Sequence, residues 1–314
     1  MLMSAGGFAL YRAHLSPFEG LVPRFGSLQK RAEREKLLAS WLHSKAFRRT
    51  GLDSEFLASR ILNDCQSGGD FVRIVMESVA QRQSVARWAA YDPDNVLHIE
   101  KLKASIPNAL FLHIIRDGRD IAVTLRKMGG FRPWPWQKSR IGSLIATALY
   151  WEWMVQNGRE QGARFSADYL EIHYEELVTS PHESLRKVGA FLDHDLDYDR
   201  IRQVGLGRLS ETNSSFRDEG ASQKTNPIGR WKQKLSQPEV AAIEASVGEC
   251  LQESGYELSL PAQERKPRTQ DRVRRAFYRN FLRTKSWAKL NTPVGRLVDI
   301  SALEIETDPI SEAR

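Results

Sequence analysis

Ala109-Leu-Phe-Leu-His-Ile-Ile115 runs directly into Arg116-Asp-Gly-Arg-Asp120, and the reading of this junction decides the fold. Six of the first seven residues are apolar, too few for a helix and without polar alternation, so the run is expected to be a strand buried on both faces. The abrupt change to charge, with Gly118 permitting a tight turn, opens a helix expected from Asp120 to Met128. A second strand, Asp168-Tyr-Leu-Glu-Ile-His-Tyr174, follows a long helix expected over Ile141 to Gly162. Strands that alternate with helices imply an α/β fold built on a parallel sheet flanked by helices.

The flanking sequence reads as helical. Between Ser27 and Cys65, apolar positions such as Leu37, Leu38, Trp41 and Leu42 recur at helical spacing, which predicts two helices broken near Gly51. Asp70 is expected to cap a helix whose inner face is Phe71, Ile74, Val75 and Val79. Another helix, Asn95 to about Ser105, must stop before Pro107. Ser180-Pro-His-Glu183 and Ser236-Gln-Pro-Glu239 are capping boxes that open helices to Leu192 and to about Glu253. The polar stretch Gly205 to Leu235 between them is too long for an ordinary connection and is expected to serve function.

Composition limits what the chain can be. Its 314 residues are 41% hydrophobic and 27% charged, near globular averages and against wholesale disorder. Cys65 and Cys250 stand far apart with no CxxC, which excludes a disulfide scaffold and a zinc ribbon and fits a reducing, cytoplasmic compartment. No histidine has a metal-ligating partner at helical spacing. No apolar run approaches the roughly 18 residues of a membrane span. The net charge of +7 is local: residues 265–289 hold ten basic residues and one acid, Asp271, a net +9, which leaves the remainder at −2. Without an RNA- or DNA-binding motif in the body, nucleic acid is not the expected partner. In the basic segment Val273, Phe277 and Phe281 recur every four residues. That spacing suits either a helix lying on an anionic membrane surface or a face packed against the body.

Chemistry is expected at the end of the first strand, because ligands of open parallel sheets bind beyond the strands' carboxyl ends. Arg116 leaves the strand there, and Thr124 lies one turn or more inside the next helix. A guanidinium and a hydroxyl near a helix N-terminus make a site suited to phosphate. The competing reading is that Arg116 and Arg119 only pair with Asp117 and Asp120.

The pattern Phe111-Leu-His-Ile-Ile-Arg-Asp-Gly-Arg-Asp-Ile-Ala-Val-Thr124 resembles the 3′-phosphate motif of the sulfotransferase family. Three further stretches are similar to that family, in its order. Tyr169-Leu-Glu-Ile-His-Tyr-Glu-Glu-Leu-Val178, with Pro181 and Phe191-Leu192, resembles the segment whose tyrosine, here Tyr174, lies near the nucleotide. Lys224-Thr-Asn-Pro-Ile-Gly-Arg-Trp231 resembles the loop that closes over the nucleotide, with Lys224 as its leading basic residue. Ser4 to Arg12 and Val22-Pro-Arg-Phe-Gly26 look like the segment that bacterial-type members carry after their phosphosulfate loop.

The resemblance spans roughly residues 1–255. It implies a P-loop NTPase-like sheet and transfer of a sulfuryl group from 3′-phosphoadenosine 5′-phosphosulfate to a hydroxyl or amine of a small-molecule, glycan or lipid acceptor, with no metal. It further implies that Arg116, Thr124 and Lys224 hold the 3′-phosphate, and that Tyr174, Gly229, Arg230 and Trp231 support the nucleotide. The family uses a His or Glu base. His14, in Tyr11-Arg-Ala-His14, is the candidate here, with Glu19 and Asp92 behind it; the Trp151 and Trp153 pair is expected to pack. The family's Gly-rich loop ending Ser-Gly-Thr-Thr has no counterpart, nor does a lysine in Trp88-Ala-Ala-Tyr-Asp-Pro93. The expectation is therefore that Met1 is an internal methionine of a longer protein, with about 20 to 40 residues upstream. The organisation expected is an α/β domain over 1–260 and a basic, partly helical tail over 261–314. The alternative function is a catalytically inactive nucleotide-binding or scaffold protein of the same fold.

Overall fold

The computed structural model describes residues 1–11, 15–128, 139–204, 228–261 and 269–297. Two compact units emerge, one from residues 1–111, 185–206 and 285–314, the other from 112–184 and 207–284.

The first unit is helical among the described residues. Short helical turns at Leu2–Ala5, Pro17–Leu21 and Val22–Phe25 precede α1 (Arg31–Trp41), α2 (Lys45–Thr50), α3 (Ser54–Asp64), α4 (Gly68–Arg82) and α5 (Ile99–Ser105). The segment expected to hold two helices holds three. Gly51 ends α2 in the left-handed region (φ +60°), and Ser44 starts it by accepting the Phe47 N–H. Ser67, not Asp70, is the N-cap of α4. Its hydroxyl accepts the Asp70 N–H and donates to Asp70 Oδ2 at 2.9 Å, so the acid belongs to the first turn. Phe71, Ile74, Val75 and Val79 are fully buried, as their spacing predicts, and Trp41 sits edge-on to both Phe47 and Phe71. A parallel bridge joins Phe8 to Arg87 in this unit.

The second unit carries β1 (Phe111–Ile115), α6 (Gly118–Met128), α7 (Arg140–Gly162), β2 (Tyr169–His173) and α8 (Tyr174–Thr179). Then follow α9 (Pro181–Leu192) and α10 (Tyr198–Val204), most of whose residues return to the first unit. After them come α11 (Trp231–Lys234), α12 (Gln237–Glu253) and α13 (Thr269–Asn291). The protein is thus a mostly helical α/β chain, and the expected parallel sheet is small: β1 and β2 form one two-stranded sheet among the described residues. Burial of β1 on both faces does not hold. His113 and Ile115 are buried, whereas Ile114, pointing the other way, stays 46% exposed, because strand side chains alternate and only one face meets the core. That core is Ile115, Ala122, Leu144, Leu149, Trp151, Ile243, Val247, Leu251 and Tyr278. The capping box at Ser236 and Glu239 forms as expected.

Among the described residues no helix is long and apolar enough to cross a membrane. Both cysteines are buried and free, and burial pushes each thiol up to about 12, so neither is a reactive thiolate at neutral pH. The helix α13 docks through Tyr278 and Arg275. Of the apolar face that could have packed on the body, Val273 is 64% and Phe277 45% exposed.

Candidate functional site

The turn from β1 into α6 is where the second unit concentrates its charge. Gly118 is needed here for a reason the sequence does not display. A Cβ on it would lie 2.6 to 2.9 Å from the Trp151 ring, closer than any methyl can sit. Trp151 in turn donates its indole N–H to the Arg116 carbonyl at 3.0 Å, so α7 fixes the residue that ends β1. Both Trp151 and Trp153 are buried, and Trp151 belongs to the core.

Of the four charged residues in the turn, three serve the fold. Arg119, 3% exposed, donates to both carboxylate oxygens of Asp117 and to Oε1 of Glu244 (2.7 Å). Burial works against its charge, but the two carboxylates outweigh that and raise its pKa. Its guanidinium lies 4.0 Å over the Trp231 ring, and the Trp231 indole N–H donates to Asp117 Oδ2 at 3.1 Å. Asp120, buried in the first turn of α6, accepts the backbone N–H of Gly229 (2.9 Å) and of Trp231 (2.8 Å). Burial raises its pKa, with those two N–H groups and Arg116 pulling the other way. Gly229 adopts a φ of +68°, which bends the chain so that both amides reach one carboxylate.

Arg116 is placed differently. Its side chain is partly exposed, its guanidinium carbon lies 4.8 Å from the centre of the Tyr174 ring, and Nη2 forms an ion pair with Asp120 Oδ2 at 3.4 Å. The pairing reading thus holds for Arg119 with Asp117 and for Arg116 with Asp120, whose Oδ2 is shared with the Gly229 amide. Tyr174 opens α8, and the residues beside it hold it there. Glu175 accepts the Asp117 N–H at 3.0 Å and the Tyr256 hydroxyl at 2.9 Å, and that hydroxyl also meets His173 Nδ1 at 3.2 Å. Thr124 is half-buried on α6 and donates its hydroxyl to the Asp120 carbonyl at 3.0 Å.

The structure thus brings Arg116, Tyr174, Gly229 and Trp231 to one end of β1 and β2 through Asp117 and Asp120, with Arg230 between the last two and Thr124 a turn further along α6. His14 and Lys224 lie outside the described residues. The lesser base candidates have other work in the first unit. Glu19 meets His98 Nε2 (3.1 Å), the Ser286 hydroxyl (3.1 Å) and Lys289 Nζ (3.2 Å). Burial would raise its pKa, yet those partners carry it down to about 2, which makes a poor proton acceptor. Asp92 accepts the Ser16 hydroxyl and caps the turn at Pro93 through the Asp94 N–H. His113 is buried against the Tyr169 hydroxyl, and burial brings its pKa down to about 4. Sequence reasoning missed Glu244 and Asp120 as anchors of Arg119 and of the Gly-x-Trp turn. An acid inside an amphipathic helix that belongs on its apolar side was the available signal.

A strand that delivers an arginine to a helix N-terminus, backed by a tyrosine and a pinned glycine-tryptophan turn, defines an α/β protein with its polar cluster at a strand end. The model of the Sulfotransferase family (Sulfotransfer_3) matches residues 13–198, more than half of the chain, and the chain belongs to that family. Among solved structures it is similar to the sulfotransferase domain from the curacin biosynthetic pathway. That likeness covers 82% of this chain and 92% of the domain, with a TM-score of 0.52 and 16% identity, and shows a shared fold. No curated protein sequence matches the chain.

Proposed function

We propose that the chain moves a sulfuryl group from 3′-phosphoadenosine 5′-phosphosulfate to a hydroxyl or amine acceptor on a P-loop-like fold, releasing adenosine 3′,5′-bisphosphate. In the transfer the acceptor heteroatom bonds to sulfur, the bond from sulfur to the phosphate oxygen breaks, and a base takes the acceptor's proton. His14 is the base of this scheme. Arg116, Thr124 and Lys224 bind the 3′-phosphate, with Tyr174 and the Gly229–Trp231 turn beneath the nucleotide. Small-molecule acceptors suit the family, and glycans or lipids are the narrower choices. Contact of residues 265–289 with an anionic membrane surface is a separate interaction that rests on α13 alone.

One observation carries the assignment of Arg116: its guanidinium carbon lies 4.8 Å from the centre of the Tyr174 ring while Asp117, Arg119 and Asp120 are engaged within the fold. The donor set suits a phosphate dianion, since a guanidinium offers paired N–H groups. Thr124 would join by turning its hydroxyl from the Asp120 carbonyl toward the anion. Calorimetry with adenosine 3′,5′-bisphosphate tests this. Arg116→Ala should weaken binding by about 1.5 to 3 kcal/mol, roughly ten- to 150-fold, because charge-assisted hydrogen bonds are lost. Equal affinities would leave Arg116 a structural residue, and binding without turnover of the sulfuryl donor would favour the inactive nucleotide-binding protein.

A further inference from the structure

The peptide group between Arg116 and Asp117 is clamped at both ends. Its carbonyl accepts the Trp151 indole N–H at 3.0 Å, and its N–H donates to Glu175 Oε1 at 3.0 Å. That rigid plane governs the direction in which the Arg116 side chain leaves β1, because the backbone has only two soft dihedrals per residue. Glu175 is also the chain neighbour of Tyr174, whose ring centre lies 4.8 Å from the Arg116 guanidinium carbon. One carboxylate therefore bears on both residues. Its second oxygen, Oε2, accepts the Tyr256 hydroxyl at 2.9 Å. A hydroxyl carries one proton, and with that proton given to Glu175 the Tyr256 oxygen is left to accept from His173 Nδ1 at 3.2 Å. The bonds run from His173 to Tyr256 to Glu175, where the Asp117 N–H meets them.

We propose that Tyr256 is a positioning residue of the nucleotide site: through Glu175 it holds Arg116 and Tyr174 in place for the 3′-phosphate, an inference that rests on the role given to Arg116 above. Three features set this apart from ordinary packing. The Tyr256 ring packs against the core of the second unit, whereas its hydroxyl reaches the strand end, so removing one oxygen separates the two jobs. Burial and the Glu175 carboxylate both raise the tyrosine's pKa, so the hydroxyl stays a donor throughout the physiological range. The segment that carries it is itself anchored. Tyr256 N–H donates to the Leu251 carbonyl at 2.9 Å, and Ser259 donates its N–H (2.9 Å) and its hydroxyl (2.8 Å) to Glu244, the carboxylate that also holds Arg119. A glutamate held between two fixed donors keeps little freedom, and an arginine oriented before the anion arrives loses less entropy on binding it.

The test is calorimetry on the full chain with two probes, adenosine 3′,5′-bisphosphate and adenosine 5′-monophosphate, which lacks the 3′-phosphate. Tyr256→Phe should weaken binding of the bisphosphate by about three- to ten-fold, the worth of one hydrogen bond, and leave the monophosphate within about two-fold. In an Arg116→Ala background the same change should cost less than about two-fold, because a residue that acts through Arg116 then has nothing to position. Hydrogen exchange at the Asp117 amide should quicken in Tyr256→Phe. Should that variant fail to fold, Glu175→Ala takes its place in the same comparisons with the same expectations. Unchanged affinity for the bisphosphate, an equal loss with both probes, or an undiminished loss in the Arg116→Ala background each overturns the proposal and leaves Arg116 a phosphate ligand. Arg116→Ala with the parent's affinity, or a parent that binds neither probe, removes the reading of Arg116 and this proposal with it.

Discussion

Gly118→Ala gives the sharpest test of how the turn from β1 into α6 is built, because two effects of opposite sign compete. Gly118 begins α6, and alanine is the better helix former by about 1 kcal/mol, so on propensity alone the variant should be more stable. The packing says the reverse. The added methyl would sit 2.6 Å from Cε3, 2.7 Å from Cδ2 and 2.9 Å from Cζ3 of Trp151, roughly an ångström inside ordinary contact. The indole cannot step aside cheaply, because it is buried in the core and its N–H holds the Arg116 carbonyl. Overpacking of this kind costs about 1 to 3 kcal/mol, and breaking the indole bond adds about 1 kcal/mol. The net expectation is destabilisation by about 1 to 3 kcal/mol in urea unfolding, together with weaker binding of adenosine 3′,5′-bisphosphate as Arg116 shifts. Adding Trp151→Phe, whose smaller ring leaves room for the methyl, should recover part of the methyl's cost in a double-mutant cycle. A Gly118→Ala protein as stable as the parent, or more so, would refute the claim that Trp151 dictates this glycine.

Asp120→Asn should cost about 2 to 4 kcal/mol, because one of the two amides it now accepts would face an NH₂ donor and be left unsatisfied. Hydrogen exchange should show the Gly229 and Trp231 amides losing protection, and unchanged protection would deny the anchor. Glu19 has its pKa drawn from the usual 4.5 down to about 2, so its pairing with His98 and Lys289 stabilises the fold above about pH 4.5 and loses that effect as pH falls toward 2. The contribution is about 3 kcal/mol. Acid unfolding of Glu19→Gln should accordingly be flatter across that window than the parent's, and superimposable curves would contradict it.

How much of this was legible in the sequence depends on whether the deciding contact was local. The existence of the strand before Arg116, though not its burial on both faces, the helix of Phe71, Ile74, Val75 and Val79, and the capping box at Ser236 and Glu239 rest on neighbours within a few residues, and they read correctly. The cap of α4 was misplaced by three positions for a local reason too. Ser67 and Asp70 exchange hydrogen bonds with one another, so either residue alone looks like the cap. The extent of the sheet was not legible, because an apolar strand announces itself without announcing how many partners it has.

The site divides along the same line. Arg116, Asp117, Arg119 and Asp120 are four charges within five residues, and on sequence alone any could face a ligand or a partner within the fold. What sorts them lies over a hundred residues away: Glu244 and the Trp231 ring claim Arg119, while the Gly229 and Trp231 amides claim Asp120. Asp117 is fully occupied by Arg119 and the indole, and Asp120 spends both oxygens on amides before Arg116 reaches it at 3.4 Å. The buried ion-pair cluster therefore anchors the Gly-x-Trp turn, and through Asp120 Oδ2 it also holds the arginine that faces Tyr174.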